Sequence, residues 1–192
     1  MYKRQIESID KHVDNIKTML LTFGGADSKG LTLRVLKILN GLPQNYQFSI
    51  NVIVGALNKD IEEIKSNCAS NRHDFRLYIN TSEMPNLMYQ SDLSINSGGL
   101  TVWELACCKT LNFVIPTSER EIKTAKKLKK DQLIFFEAAF DQMSDQKIES
   151  SIKLILNRNN DFSRMVDDFH SIVNPNGADN FILAIENWFQ NN

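Results

Sequence analysis

The 192-residue sequence is poor in cysteine, proline and glycine, with three, four and eight of them. Three cysteines are an odd number, and Cys107 and Cys108 are adjacent. A disulfide framework and a CxxC metal or redox motif are thereby excluded, and reduced structural thiols are expected. So little proline and glycine excludes collagen-like and low-complexity chains. No apolar run approaches the ~20 residues that a membrane-spanning helix needs, and the N-terminus lacks the apolar core of a secretory signal. A cytoplasmic chain with no membrane span is expected. Neither sign of charge dominates: 22 basic residues face 23 acidic ones, a net charge of -1. No global field favours nucleic acid or an anionic membrane, so partners must follow from local sites.

What is present is ordinary globular material, 42% hydrophobic and 23% charged. A chain of this length buries roughly 70% of its unfolded surface, enough for one core. Residues 1–16 open with a stretch, 1–5, that carries no apolar periodicity, and residues 2–5 of it read like one frame of a transposon-end adapter. They are expected to be a linker or the remnant of a truncated upstream half, with one domain over 17–192. Short apolar runs at 19–23, 48–54, 75–79, 93–96, 111–115 and 133–136 predict six strands. Apolar residues three and four apart predict helices at 31–39, 61–68, 85–90, 101–108, near 122–130, and at 145–157, 161–170 and 178–190. Strands alternating with helices specify an α/β, Rossmann-like, doubly wound and mainly parallel six-stranded sheet followed by C-terminal helices.

In such sheets ligands bind beyond the carboxyl ends of the strands. Two of these loops are rich in glycine. In Phe23-Gly24-Gly25-Ala26-Asp27-Ser28-Lys29-Gly30 the paired glycines permit a sharp turn and close approach of backbone amides to a ligand. Alternatively they only make the turn, with Asp27 or Ser28 capping the next helix. In Asn96-Ser97-Gly98-Gly99-Leu100-Thr101-Val102-Trp103-Glu104 two glycines precede a helix N-terminus, where amides and the dipole favour a phosphate or diphosphate. Glu104, one turn into that helix, is placed to accept hydrogen bonds from the two hydroxyls of a ribose. The alternative is that Ser97 or Thr101 caps the helix and Glu104 merely offsets its dipole. Trp103 is expected to pack rather than to touch ligand.

These two loops, in this order, resemble the C-terminal nucleotide-binding half of the GT-B enzymes, especially the nucleotide-sugar hydrolases of the pseudaminic acid pathway. Thr22-Phe23-Gly24-Gly25-Ala26-Asp27 resembles that family's first glycine loop. Residues 91–105 resemble its donor-binding loop, which the murein-pathway N-acetylglucosaminyltransferases also share. The resemblance implies that Gly24, Gly25, Asp27, Ser97, Gly98, Gly99, Thr101 and Glu104 hold UDP or a UDP-sugar, with Glu104 on the ribose. It further implies water attack on a UDP-linked diacetamido-trideoxy sugar in nonulosonic acid biosynthesis, with release of UDP. The alternatives are the donor-binding subunit or domain of a GT-B glycosyltransferase, and a degenerate nucleotide-binding module.

The sequence departs from the family at two places. Glu119-Arg120-Glu121 stands where an amide pair usually faces the sugar, so Arg120 and Glu121 become candidate phosphate and sugar contacts, or a solvated helix start. Val173-Asn174-Pro175-Asn176-Gly177-Ala178-Asp179-Asn180 matches the family's VDGxGAxR segment poorly. The family's catalytic histidine belongs to an N-terminal half, so no catalytic residue is assigned here and a missing domain or partner subunit is expected to supply it. His12, His73 and His170 are expected to be ordinary surface residues. No His/Cys cluster or HExxH spacing occurs, so neither a metal nor a cofactor is expected. The lysines 123, 126, 127, 129 and 130 are expected to complement a helix dipole rather than to bind a partner.

Overall fold

The apolar runs form the strands of one sheet, and the amphipathic stretches between them cover it. The computed structural model describes residues 11, 13, 15–43, 45–69, 73–157, 162–173 and 177–190. Its elements run β1 (Thr18–Thr22), α1 (Leu31–Asn40), β2 (Ser49–Val54), α2 (Ile61–Cys68), β3 (Asp74–Ile79) and α3 (Met84–Gln90). They continue with β4 (Leu93–Asn96), α4 (Thr101–Cys107), β5 (Leu111–Val114), α5 (Glu119–Lys130) and β6 (Phe135–Phe136). A 3-10 turn, Phe140–Gln142, leads to α6 (Asp145–Leu156), α7 (Ser163–Ser171) and α8 (Gly177–Gln190).

The strands lie in the order β3-β2-β1-β4-β5-β6 and every neighbouring pair is parallel. This is the expected Rossmann-like, doubly wound fold, parallel throughout rather than mainly so. A parallel sheet is covered on both faces, which is why its central strands are mostly apolar, with Asn51, Ser94 and Asn112 as buried polar interruptions. Met19, Leu21, Leu93, Ile95 and Phe113 face the layer that contains α1 and α6. Leu20 and Ile53 face the opposite layer, against Leu87 and Met88 of α3 and Leu105 of α4.

Three local expectations are corrected. Leu133 and Ile134 lie outside β6: Leu133 N bonds back to Leu128 O at 3.0 Å, and both side chains pack with Ala125 and Leu128 of α5. Helix α5 begins three residues before 122, because Ser118 and Glu121 form a capping box. His73 is a core group rather than a surface one, only 8% exposed. Its ring stacks on Phe48 at 5.8 Å and meets Phe75 edge-on at 5.6 Å, with Nε2 3.0 Å from Leu39 O. His12, residues 1–10 and residues 174–176 lie outside the described residues.

Within the expected linker, Val13 is buried in the main core and Lys11 reaches the underside of the sheet. Lys11 Nζ donates to Ser91 O at 2.5 Å, Thr110 Oγ1 at 3.1 Å and Cys108 O at 3.4 Å. Burial lowers its pKa to about 8, against the opposing pull of Asp92. Above that pH the folded chain has lost a proton that the unfolded chain keeps to 10.5, so stability rises with pH across this window. Burial pushes Cys68 and Cys108 up to about 11, which acts oppositely above 9. Denaturant titrations at pH 8 and pH 9 are therefore expected to show a gain of at most about 1 kcal/mol. Lys11→Met should abolish that gain, and a flat wild-type profile would contradict the assignment.

Candidate functional site

Strand order reverses between β1 and β4, since β1 leads through α1 to one side of the sheet and β4 leads through α4 to the other. The two strands run level, from Met19↔Leu93 to Thr22↔Asn96. Their following loops therefore leave the carboxyl edge side by side and diverge to opposite layers, opening a crevice. The sequence-predicted Gly24 and Gly25 on one loop and Ser97, Gly98 and Gly99 on the other are brought together there.

The second loop is held from beneath by an amide in the strand itself. Asn96, 1% exposed, accepts from Gly98 N at 2.8 Å through Oδ1. Its Nδ2 donates to Asn112 Oδ1 at 3.0 Å and to Ser94 Oγ at 3.2 Å. Asn112 Nδ2 donates in turn to Thr110 O at 2.9 Å. Gly98 has φ +100 and Gly99 φ +61, conformations that side chains rarely adopt. A Cβ on Gly98 would also stand 3.3 Å from Val114 Cγ1.

Helix α4 follows with no side chain capping its N-terminus, so neither Ser97 nor Thr101 acts as the cap that was the alternative. Trp103 N and Glu104 N donate to Leu100 O at 3.0 and 3.3 Å, which leaves the amides of Thr101 and Val102 at the helix start for an acceptor from outside. Glu104 is exposed and makes no hydrogen bond or ion pair among the described residues. Trp103 packs edge-on against Phe169 of α7 at 5.6 Å, as expected.

The first loop is built differently. Asp27 turns its carboxylate back on α1, accepting from Leu31 N at 3.0 Å and Thr32 N at 2.7 Å. Its pKa is raised, chiefly by burial and further by the charge of Asp60, while the bonds from Thr32 and Leu31 pull it down. Asp27 thus caps the first amides of α1, whereas no side chain caps α4, whose start lies near the carboxylates of Glu104 in its first turn and Glu121 beside Gly99. Gly24 and Gly25 are exposed and would form the opposite wall.

Two contributions escaped sequence reasoning. Gly55, the residue after β2, lies where the loop following that strand presses on the first glycine loop. A Cβ on it would stand 2.2 Å from Gly25 O. Asn96 was read only as the start of a motif. The available signals were a glycine ending the strand beside β1 and an amide within an apolar strand.

Glu121 and Arg120 are separated by the structure. Glu121 Oε2 accepts from Thr117 N at 2.8 Å, Thr117 Oγ1 at 2.9 Å and Ser118 N at 3.0 Å. Its Oε1 lies 3.6 Å from where a Cβ of Gly99 would sit, so this carboxylate buttresses the glycine loop. Arg120 is exposed and has no ion pair among the described residues. His73 precedes β3 at the amino edge, and His170 Nδ1 lies 3.1 Å from Ala106 O near the far end of α4. Neither approaches the crevice. Among the described residues no group of three or more His, Cys, Asp or Glu could hold a metal ion, and no helix is long and apolar enough to cross a membrane.

No family model matches the sequence. An uncharacterized protein of Methanocaldococcus jannaschii is 33% identical over 104 residues, 53% of this chain and 21% of its own. The spore coat polysaccharide biosynthesis protein SpsG of Bacillus subtilis is 25% identical over 110 residues, 57% of this chain and 32% of its own. Among solved structures, MurG of Acinetobacter baumannii superposes with a TM-score of 0.72 at 18% identity, covering 97% of this chain and 53% of MurG. The UDP-GlcNAc 2-epimerase of Neisseria meningitidis, bound to UDP-GlcNAc, gives 0.57 at 21% identity, covering 93% and 45%. At these identities the likeness is one of fold, and the structural neighbours are GT-B enzymes. The matches span about half the length of the solved neighbours and a third or less of the curated relatives.

Proposed function

We propose that this chain is the donor-binding domain of a GT-B glycosyltransferase-type enzyme and holds a UDP-sugar at the β1/β4 crevice. The observation that carries the reading is the level pairing of Thr22 with Asn96, which sets the two glycine loops at adjacent strand ends. The diphosphate rests on the amides of Gly99 and of Thr101 and Val102 at the uncapped start of α4, in a turn that Asn96 holds through Gly98 N. Glu104 accepts hydrogen bonds from the ribose hydroxyls, Thr101 lines the helix start, and Arg120 reaches toward the phosphates or sugar. Acceptor binding and the catalytic base come from a further domain or partner subunit. This domain would stabilise the leaving diphosphate through preorganised backbone donors.

A finer reading makes the reaction hydrolysis, with UDP released from a diacetamido-trideoxy sugar in nonulosonic acid biosynthesis. Its support is the resemblance of residues 91–105 to those hydrolases. The transferase reading is favoured because the neighbours include glycosyltransferases and SpsG is named for polysaccharide synthesis. The charged Glu119-Arg120-Glu121 in place of the amide pair also weakens the hydrolase match.

Calorimetric titration with UDP, and with CMP and ADP as controls, tests the shared premise. UDP is expected to bind selectively. Glu104→Ala should weaken it by roughly 1.5–3 kcal/mol, the value of a charge-assisted hydrogen bond. The melting midpoint should be unchanged, because Glu104 is exposed and unpartnered among the described residues. Absence of UDP binding overturns the reading and is the result that a degenerate module would give.

A further inference from the structure

We propose that the exposed lysine stripe of α5 docks this domain on an anionic lipid surface. Lys123, Lys126, Lys127 and Lys130 stand three and four residues apart and are exposed, while Ala125 and Leu128 bury the opposite face of the helix. None of the four forms an ion pair among the described residues, whereas Lys37, Lys65, Lys109 and Lys153 each meet a carboxylate. Like charges at this spacing destabilise a helix. The helix dipole compensates only the last turn, which holds Lys127, Lys129 and Lys130. Lys123 and Lys126 lie above that turn, where the dipole adds nothing.

The chemistry of the stripe selects its partner. Single-stranded nucleic acid is gripped by aromatic platforms and by arginines stacked on its bases. The four-lysine stripe has neither. A protein hot spot is built on an aromatic or aliphatic anchor, and α5 exposes no apolar side chain between the lysines. Lys129 leans away, with its ammonium 5.8 Å over the Phe136 ring. What remains is a set of flexible point charges along about 10 Å of helix, suited to a diffuse negative surface on which each lysine adds to partitioning. Helix α5 follows β5 at the carboxyl edge and runs toward the amino edge, so Lys126, Lys127 and Lys130 lie farther along it than Glu121, which touches the glycine loop. The inference stands apart from the nucleotide reading.

The test is co-sedimentation of the full chain with vesicles of phosphatidylcholine and phosphatidylglycerol in equal parts. Binding is expected at low salt, with none to pure phosphatidylcholine and loss at high salt. A variant carrying Lys123→Gln, Lys126→Gln, Lys127→Gln and Lys130→Gln should lose about a hundredfold in partition coefficient or more. Circular dichroism should show that it keeps its fold. A control with Lys37, Lys65, Lys147 and Lys153 changed to Gln removes the same net charge and should bind like wild type. Equal loss in both variants, no binding to anionic vesicles, or tighter binding to heparin or poly(U) than to vesicles at matched salt would each overturn the proposal.

Discussion

Gly55→Ala is expected to destabilise the domain by about 1–3 kcal/mol, as overpacking does, and to abolish UDP binding with it. The added Cβ would stand 2.2, 2.5 and 2.6 Å from the O, Cα and C of Gly25. These are backbone atoms, so no side-chain rotation relieves the contact. Either the loop after β2 must lift or the Gly24–Gly25 loop must move into the crevice. Gly25→Ala provides the comparison, because a Cβ there meets nothing within 4 Å. Urea unfolding of the two variants should therefore give clearly different midpoints. Equal midpoints would show that the two loops are not pressed together.

Asn96→Ala is expected to cost about 2–6 kcal/mol, since it leaves Gly98 N and Asn112 Oδ1 without their buried partner at about 1–3 kcal/mol each. The loss extends to ligand, because the bond to Gly98 N fixes the left-handed turn that presents the loop. Asn96→Asp separates the two effects. It keeps an acceptor for Gly98 but removes the donor to Asn112 and puts negative charge beneath the proposed diphosphate. Its UDP affinity should fall further than its stability does, as read by titration and denaturation on one preparation. If UDP affinity is unchanged in Asn96→Asp, the loop is not the phosphate site.

Much of this was legible in residues alone, and the reasons differ by element. Strands β1, β2, β4 and β5 were found within a residue or two because parallel strands buried on both faces are predominantly apolar. The Gly98–Gly99 loop was legible because only glycine adopts its backbone freely. Strand β6 was overextended because Leu133 and Ile134 are as apolar as strand residues yet pack on α5. His73 was misplaced because nothing local reveals that Phe48 and Phe75, on neighbouring strands, enclose it. Asp27 remained between two roles, and its contacts with Leu31 and Thr32 give it the capping role. Asn96 and Gly55 act through the strands beside them, which a one-dimensional pattern does not express.

The pairing of β1 with β4 also bears on how the domain assembles. Thr18 N bonds to Asp92 Oδ2 at 2.8 Å across 74 residues of chain, while β1 meets β2 and β4 meets β5 through a single intervening helix each. Contacts closed over long loops form late, because chain entropy opposes them before they are rewarded. The crevice is thus the seam between two locally paired units, 18–79 and 93–136, and both glycine loops sit on its lips. A nascent chain has no site until the second unit has joined the first, so ligand affinity would appear in a single late step of refolding rather than growing with secondary structure.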